Sequence, residues 1–582
     1  MKGMFDDFDP SAKDRKNWLL YGDNLTVMRS FPSSYVDLIY LDPPFNSDRT
    51  YNLIYRQLTG LPLPEQEDAF ADQWTLDPEK EEQARRMPMI LREYGSDEEL
   101  VQFWSAWVNA LRHSQPRLLA YLIHMTMRLL EMRRVLKPTG SIYLHCDNTA
   151  SHYIKILMDG IFGAGNFRNE IIWKRQSAHS DAKLKFGSVN DSILYYAKSK
   201  AAKFNPQYGE HDTSYVDKFY RFDDHDGRGR YRLGDMSAPK GGGMSAINKT
   251  TGKPNGWHIY KGYQPPTTGW RYSPETLARL DREGRVYFPK HKDGTPDLTK
   301  RLALKRYLNE QEGSIITNVW TDIPPLSGHG GGEYLGYATQ KPIALLDRII
   351  RASTDEGQVV FDPFCGCGTT IYAAHLAKRK WIGCDIAILS VRIVRDVLLK
   401  RSGVEEGQHS DVSGIPRSLE GAQDLFDRDP KQFEHWAVEM AGGFATRKHS
   451  GDKGVDGRIY FETSEGLRNM VLSVKGGTKL SPAFVRELRG TLARDDGTEM
   501  AGFISLAPPT KGMISEAASA GMYQYLGQDY ERMQLRTVED LFEGRRFNTP
   551  SRVGVLHKER QSVLPLTGSH SKEGSQTKGR PV

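Results

Sequence analysis

The chain has 582 residues, of which 38% are hydrophobic and 26% charged, a composition typical of a soluble globular protein with two to four domains. Its net charge of +6 is compatible with a polyanionic partner but does not by itself identify one. Four cysteines argue against a disulfide framework, and the chain shows neither a signal-peptide core nor an apolar run long enough for a membrane span, so we expect a cytoplasmic protein.

Two short apolar segments near the N-terminus, residues 18–22 and 36–41, have the pattern of buried strands. Each runs into an acid, Asp23 and Asp42, and residues 24–33 between them are predicted to form a short helix and turn. A strand–helix–strand unit of this kind is typical of a doubly wound α/β sheet.

The middle of the chain changes character twice. Residues 46–100 are polar with Pro and Glu clusters, which indicates an excursion from the core. An apolar stripe at spacings of three and four then predicts a helix that stops at Lys137, followed by a strand over 141–144. Residues 175–320 are rich in Gly, Lys, Arg, Tyr and Trp, which indicates an irregular recognition region and not a second α/β core.

The α/β pattern then resumes with a helix over 342–352 and strands over 359–361 and 381–384. The loop after the first of these strands contains Gly366 and Gly368, where the missing side chains let the backbone approach a ligand closely. The helix that follows begins at a site suited to a negative group.

A Gly-x-Gly turn alone is weak evidence, since an ordinary strand-to-helix turn can contain it. The next strand, however, ends in Asp385. An acid at this position can accept hydrogen bonds from two ribose hydroxyls, which predicts an adenosine-type cofactor.

A second motif, Asp42-Pro43-Pro44-Phe45, follows the strand over 36–41. The prolines stiffen the backbone, and the Pro43 carbonyl and Asp42 carboxylate could together hold both hydrogens of an exocyclic amine. That arrangement would direct the nitrogen lone pair at a methyl donor, while Phe45 would stack on a base flipped out of a duplex. Taken alone, the motif fits a proline-stiffened turn with a buried Phe equally well.

Together these residues resemble the amino-methylating DNA methyltransferases, the N6-adenine and N4-cytosine family, over residues 15–400. The catalytic loop precedes the cofactor loop by about 320 residues, which is the permuted order called the β class. The resemblance implies a circularly permuted, Rossmann-like methyltransferase fold. The strand pattern agrees with this order, because we expect a helix and a linker but no third strand after Asp385, and residues 18–22 would supply the missing strand, so that one sheet is assembled from both ends. The matching segments are 21–25, 41–46, 136–147, 167–174, 319–323, 339–342 and 362–370.

The resemblance implies S-adenosyl-L-methionine as cofactor and double-stranded DNA as partner. An Asp at position 42 favours adenine N6 as the methylated atom, with cytosine N4 as the alternative, because members with Ser there mostly methylate cytosine. Target-base residues would be Asp42, Pro43, Pro44 and Phe45. Cofactor residues would be Asp362, Phe364, Gly366, Gly368 and Thr369 along the loop, Asp385 at the ribose, Asp23 near the adenine and Lys341 at the methionine carboxylate.

The four cysteines, Cys146, Cys365, Cys367 and Cys384, all fall at ends of predicted strands. Four neighbouring thiols would suit zinc. The preferred interpretation is that they fill small buried positions in tight turns.

The C-terminal stretch 426–547 resembles the Mrr-like branch of the restriction-endonuclease fold, a small α/β domain. Asp456 would help hold a Mg²⁺ ion there, with Glu434 or Glu439 as a second ligand, and Lys475 would position water or stabilise charge. Ser473 stands where the signature has an acid or Gln, so an active nuclease and an inactive DNA-binding remnant both stay open.

The predicted organisation supports a site-specific DNA methyltransferase of a restriction–modification or defence system in the cytoplasm of a bacterium or archaeon, associated with the nucleoid. A homodimer is compatible with it. Competing hypotheses are a DNA-binding or nuclease protein with a cofactor-sensing core, and methylation of RNA or a small molecule; the basic, aromatic region favours duplex DNA. The predicted divisions are 15–174 (catalytic half), 175–335 (target recognition), 336–402 (cofactor half), 403–425 (linker), 426–547 (nuclease fold) and 548–582 (disordered tail).

Overall fold

The computed structural model divides the chain into two compact units. The first takes residues up to 202, 321–347 and 355 onward, and the second takes 203–320 and 348–354. The residues described are 16–44, 74–147, 149–176, 186–239, 256–326, 333, 340–399, 402–404, 407, 409–446, 454–464, 466–494 and 497–550.

The N-terminal part of the first unit confirms the predicted strand–helix–strand start. Both opening strands are fully buried, and Asp23 caps the helix between them by accepting hydrogen bonds from the backbone N–H groups of Leu25 and Thr26. The elements are β1 (Asn17–Tyr21), α1 (Asn24–Ser30), β2 (Val36–Leu41), α2 (Pro78–Glu93), α3 (Glu98–Ser114), α4 (Pro116–Val135), β3 (Leu136–Cys146), α5 (Ser151–Phe162), β4 (Phe167–Lys174) and β5 (Asn190–Ala197).

The expectation that 46–100 is an excursion from the core is wrong for its second half. Helix α2 and the start of α3 lie there, and Met87 and Leu91 are fully buried in the main hydrophobic core. Residues Ala84, Met87 and Leu91 recur at helical spacing, but the charged residues on the outer face of α2 hide that stripe in the composition. Residues 46–73 lie outside the described part of the chain.

The second unit is built from short strands and helices. Three strands form an antiparallel sheet in the order β7-β9-β8, and β6 pairs with β10. Its core is aromatic and includes Tyr263 and Trp270, both almost fully buried. The elements are β6 (Tyr208–Gly209), α6 (Thr213–Phe219), β7 (Tyr231–Asp235), α7 (Pro274–Arg282), β8 (Val286–Tyr287), β9 (Ala303–Tyr307), β10 (Ser314–Ile315) and β11 (Val319–Trp320).

The expectation that all of 175–320 forms an irregular recognition region needs a correction. Strand β5 lies within that range but belongs to the main sheet, where it pairs antiparallel with both β3 and β4. Its apolar run, residues 193–197, is almost completely buried. The surrounding glycines and basic residues obscured this short strand signal.

After residue 340 the chain continues with the predicted helix, whose second half is assigned to the second unit, and then with the two predicted strands of the first unit. A further strand, β14, then pairs parallel with β1, so the expectation of no strand after Asp385 and of a linker over 403–425 is wrong at this point. Because β14 is short and polar, its sequence does not indicate a strand. It forms because pairing with β1 satisfies backbone groups that would otherwise lie open at the sheet edge. The elements are α8 (Ile343–Ser353), β12 (Val359–Asp362), α9 (Thr369–Leu376), β13 (Lys380–Asp385), α10 (Ile388–Ile393) and β14 (Ser410–Ser413), with a π-helical turn over Val394–Leu399.

Within the first unit the main sheet has the order β4-β5-β3-β2-β12-β13-β1-β14. The strands from β3 to β14 in this order run parallel. Trp18 of β1 lies opposite Ile382 of β13, so the two ends of the region meet in one sheet, as predicted. Buried Asp37 helps fix β2 against its neighbours by accepting from the Val359 backbone N–H at 2.9 Å and from the Lys137 ammonium.

The C-terminal part forms a separate mixed sheet in the order β15-β16-β17-β18-β21, which is the small α/β fold expected there. A core that includes Val471, Val485 and Phe503 fills it. None of the described helices is long and apolar enough to cross a membrane. The elements are α11 (Leu419–Arg428), α12 (Pro430–Met440), β15 (Phe444–Ala445), β16 (Gly457–Thr463), β17 (Gly466–Lys475), α13 (Pro482–Leu492), β18 (Thr498–Ser505), α14 (Lys511–Ala518), β19 (Met522–Tyr525), β20 (Gln528–Glu531), β21 (Met533–Thr537) and α15 (Val538–Phe542).

Candidate active site

Four acids meet at one edge of the main sheet. Asp42 follows β2, Asp362 ends β12, Asp385 ends β13 and Asp23 follows β1, and these four parallel strands are neighbours in the sheet. The carboxyl ends of parallel strands lie at the same edge, where α/β sheets bind their ligands. The structure therefore brings the two predicted motifs together, although about 320 residues separate them in sequence.

Asp385 organises the glycine loop. One carboxylate oxygen accepts from the Gly366 backbone N–H at 2.8 Å, and the other accepts from the Ala387 N–H at the same distance. Gly366 and Gly368 both have positive φ, 49° and 83°, a backbone conformation that favours glycine. Asp385 therefore joins the glycine loop to the turn that follows β13.

Asp362 lies under the same loop and is almost completely buried. It accepts from the Phe364 backbone N–H at 3.0 Å, and Thr369 follows at the start of α9. Burial raises the pKa of Asp362 to about 7, and hydrogen bonds from Thr370 and Phe364 only partly oppose that shift.

The raised pKa of Asp362 predicts a pH-dependent stability. The unfolded carboxyl ionises near pH 4, whereas the folded one keeps its proton until about pH 7, so the native state binds more protons in this window. As pH rises from about 4 to about 7, the wild-type protein should lose stability relative to an Asp362→Asn variant, with no further change above that window. Urea unfolding of both proteins across this range measures the difference, and a pH-independent difference would contradict the assignment.

Asp42 forms an ion pair with Lys341, the lysine predicted to approach the methionine carboxylate. Lys341 contacts Oδ2 of Asp42, whereas the buried Oδ1 has no hydrogen-bond partner among the described residues. A buried carboxylate oxygen without a donor is costly, which indicates a place for a ligand donor. Pro43 is buried and Pro44 exposed, and Phe45 lies outside the described residues.

A buried polar chain behind Asp42 was not predicted from the sequence. The Tyr40 hydroxyl lies 3.0 Å from Nδ1 of His145, and Nε2 of the same ring lies 3.0 Å from a carboxylate oxygen of Asp191. Arg175 approaches the other Asp191 oxygen at 3.0 Å. This polar chain joins β2 to β3 and β5. His145 lies in the segment 136–147 that resembles the family, but no sequence pattern pairs it with Asp191.

Asp23 also has a partner that sequence reasoning missed. Arg128 of α4 forms an ion pair with it and donates from Nε to the side-chain oxygen of Asn24 at 2.6 Å. Arg128 lies within the apolar stripe of α4. From the sequence alone, a single arginine at such a position would be interpreted as solvent-facing. Its burial marks it as part of the site's framework.

The four cysteines are buried and make no disulfide. Burial raises the pKa of the Cys367 thiol to about 11, and those of Cys146, Cys365 and Cys384 also shift upward because their surroundings disfavour the thiolate. Within the part of the chain that is described, no three His, Cys, Asp or Glu side chains are grouped to hold a metal ion.

A second acidic site lies in the C-terminal sheet. Buried Asp456, just before β16, accepts from the Val474 backbone N–H at 2.6 Å and from the Ser473 hydroxyl at 3.3 Å. Lys475 lies 3.9 Å away, as the predicted layout requires, while Glu434 on α12 pairs with Lys431 at 3.1 Å. Burial raises the pKa of Asp456, and the Lys475 charge opposes that rise.

Comparisons with known proteins show similarity to DNA methylases. A family model described as DNA methylase matches residues 36–396. The chain is 33% identical over 276 residues to the Type II methyltransferase M.EcaI of Enterobacter cloacae, covering 47% of this chain and 56% of that protein. It is 29% identical over 398 residues to the Type III restriction-modification enzyme StyLTI Mod subunit of Salmonella typhimurium, covering 64% and 53%. It is 23% identical over 369 residues to the DNA adenine methyltransferase YhdJ of Escherichia coli, covering 63% and 78%. The chain thus spans about half the length of the first two relatives.

Proposed function

This chain belongs to the DNA methylase family, and from that premise we propose that it transfers a methyl group from S-adenosyl-L-methionine to adenine N6 in double-stranded DNA. The observation that carries the proposal is the buried, unpartnered Oδ1 of Asp42 at the edge where the glycine loop and Asp385 also lie. That oxygen is suited to accept a hydrogen bond from an exocyclic amine.

The residues present fit the cofactor. Asp385 is the kind of acceptor that binds ribose hydroxyls, and it lies beside the glycine loop, where the two glycines leave room for close approach of a ligand to the backbone. Lys341 carries the positive charge that a methionine carboxylate needs. When bound, the cofactor supplies an electrophilic methyl group on a sulfonium.

The protein's part in the reaction is positioning. Asp42 Oδ1 accepts one amine hydrogen, and the rigid Pro43-Pro44 turn fixes that acceptor against the sheet edge. Held in this way, the amine would present its nitrogen lone pair to the methyl group that the cofactor would supply, and the proton lost from the nitrogen would pass to Asp42 or to solvent. In the structure, Asp42 forms an ion pair with Lys341. If a ligand carboxylate bound Lys341 instead, Asp42 would become available to the base.

Adenine is favoured by the Asp at position 42 and by the similarity to a protein named as a DNA adenine methyltransferase. The motif order and the placement of β1 beside β13 support the permuted β class. A target base inside a duplex must be flipped out to reach this edge, with Phe45 proposed as its stacking partner. The relatives' names support a role in restriction–modification, and target recognition by residues 175–335, a homodimer and nucleoid association stay predictions.

Long-read sequencing of DNA from a methylation-deficient host that expresses the gene tests the proposal. We expect N6-methyladenine at one recurring sequence context, which would also identify the recognised site. Signals of N4-methylcytosine would replace the adenine assignment, and unmodified DNA would contradict the proposal.

The C-terminal sheet is a second candidate for chemistry, because the Lys475 ammonium lies 3.9 Å from the buried Asp456 carboxylate. The described donor set does not fit a Mg²⁺ site, however. Ser473 stands where the layout has an acid or Gln, Glu434 is engaged by Lys431, and the described residues offer no group of three His, Cys, Asp or Glu that could hold a metal ion. We therefore propose that this C-terminal part of the chain has the restriction-endonuclease fold and contacts DNA without cutting it.

Incubation of the protein and Mg²⁺ with methylated and unmethylated plasmid tests this assignment. We expect no cutting above the level of a Lys475→Ala variant on either substrate. If the wild-type protein cuts the plasmid and both Lys475→Ala and Asp456→Asn abolish the cutting, the C-terminal part is an active nuclease instead.

A further inference from the structure

Two arginines of helix α4 bind opposite ends of helix α1. Arg134 donates to the backbone oxygens of Met28 at 2.6 Å and Phe31 at 2.8 Å, which lie at the end of α1. Arg128 contacts Asp23 and Asn24 at the start of α1. The same helix pair is thus held by two similar side chains at two sites.

The two ends of α1 differ in what surrounds them. The start of α1 lies at the carboxyl edge of the sheet, where the Gly22 backbone N–H donates to the Asp385 carbonyl at 3.0 Å. Asn24 donates from its side-chain nitrogen to the carbonyl of Pro363, inside the glycine loop, at 2.8 Å. Arg134 binds the other end of α1, which leads into the start of β2 and not into the carboxyl edge of the sheet.

A continuous set of buried contacts therefore runs from Arg128 through Asn24 to Pro363. Asn24 accepts from Arg128 Nε with its side-chain oxygen and donates with its nitrogen, so both ends of the amide are fixed. Asp23 uses one oxygen to cap α1 and the other to pair with Arg128. Arg128 itself is only 8% exposed.

We propose that Arg128 is a positioning residue for the cofactor site, holding Asp23 and Asn24 so that the loop after β1 and the glycine loop form one preformed surface for the adenosine part of the cofactor. This inference rests on the proposed function. Arg128 acts through Asp23 and Asn24 and need not touch the cofactor itself. The Asp23 oxygen that pairs with Arg128 keeps capacity for one more donor, such as an adenine amine.

Arginine suits this role because its planar guanidinium presents donors in fixed directions to two acceptors at once. A lysine can supply one charge but cannot reach both Asp23 and Asn24 with the same geometry. We therefore expect Arg128→Met to weaken cofactor binding by about 10- to 100-fold, through loss of charge-assisted hydrogen bonds, and Arg128→Lys to give an intermediate loss.

The matched control is Arg134→Met, which removes a similar set of hydrogen bonds between the same two helices. It should lower Tm as Arg128→Met does, yet bind the cofactor within about twofold of the wild-type protein. Asn24→Asp provides a second variant that keeps an acceptor for Arg128 but loses the donor to Pro363. We expect it to weaken cofactor binding as well.

The experiment is calorimetric titration of each full-length variant with S-adenosyl-L-methionine, at a temperature well below its Tm, together with KM for DNA. Weaker cofactor binding in the Arg128 and Asn24 variants, with DNA KM and the Arg134 control unchanged, supports the inference. Equal cofactor affinity in Arg128→Met and Arg134→Met would overturn it. If Arg128→Met does not fold, Arg128→Lys and Asn24→Asp decide on the same criterion. Failure of the wild-type protein to bind the cofactor would overturn the proposed function as well.

Discussion

Replacing Asp42 with alanine is expected to lower the rate of methyl transfer to DNA by at least about 100-fold. The substitution removes the buried Oδ1, proposed to hold the target amine, together with the oxygen that pairs with Lys341. The loss should appear in kcat, because the proposed contact would orient the amine toward the methyl donor. Single-turnover transfer of labelled methyl groups measures the effect.

Two further variants separate this role from a general disturbance of the sheet edge. Asp42→Asn keeps the shape and one acceptor oxygen, so it should retain more activity than Asp42→Ala. Asp147 directly follows the neighbouring strand β3 but caps a turn by accepting from the Thr149 N–H, so Asp147→Ala should stay close to wild-type activity. An Asp42→Ala protein that transfers methyl groups at the wild-type rate would remove the target-base assignment of this loop.

Replacing Asp385 with alanine is the second change with a large expected effect. It removes the acceptor for the Gly366 and Ala387 N–H groups, and also the proposed partner of the ribose. Hydrogen bonds to a charged group contribute about 1.5–3 kcal/mol each, so the Kd for S-adenosyl-L-methionine should rise by about 100-fold or more. Titration with the cofactor measures this directly.

The control for Asp385 is another acid of the same sheet. Asp411 lies on β14 and pairs with Lys16 at 3.0 Å, so Asp411→Ala removes a carboxylate from the sheet without touching the glycine loop. Its cofactor affinity should match that of the wild-type protein. Comparable losses in the two variants would mean that Asp385 acts only through the stability of the sheet.

Features with strong local signals could be predicted from the sequence. The buried strands β2, β12 and β13 are short apolar runs that end at an acid or directly before one, and the turns after β2 and β12 contain prolines or glycines. Because parallel strands place their carboxyl ends together, the meeting of Asp42, Asp362 and Asp385 followed from the predicted topology.

Features that depend on pairing across the fold could not be predicted in the same way. Strand β14 has only four residues and forms because β1 offers an open edge. The partners of Asp42 and Asp23 are Lys341 and Arg128, each far away in sequence. No local pattern distinguishes such a lysine or arginine from a solvent-facing one, since burial arises only when the helices and loops pack.

Mass spectrometry of nucleosides from DNA treated with purified protein and methyl-labelled S-adenosyl-L-methionine tests the central claim most directly. We predict labelled N6-methyladenine with the wild-type protein and a loss of that label with Asp42→Ala. Label in N4-methylcytosine alone, or equal labelling by the Asp42→Ala protein, would contradict the account.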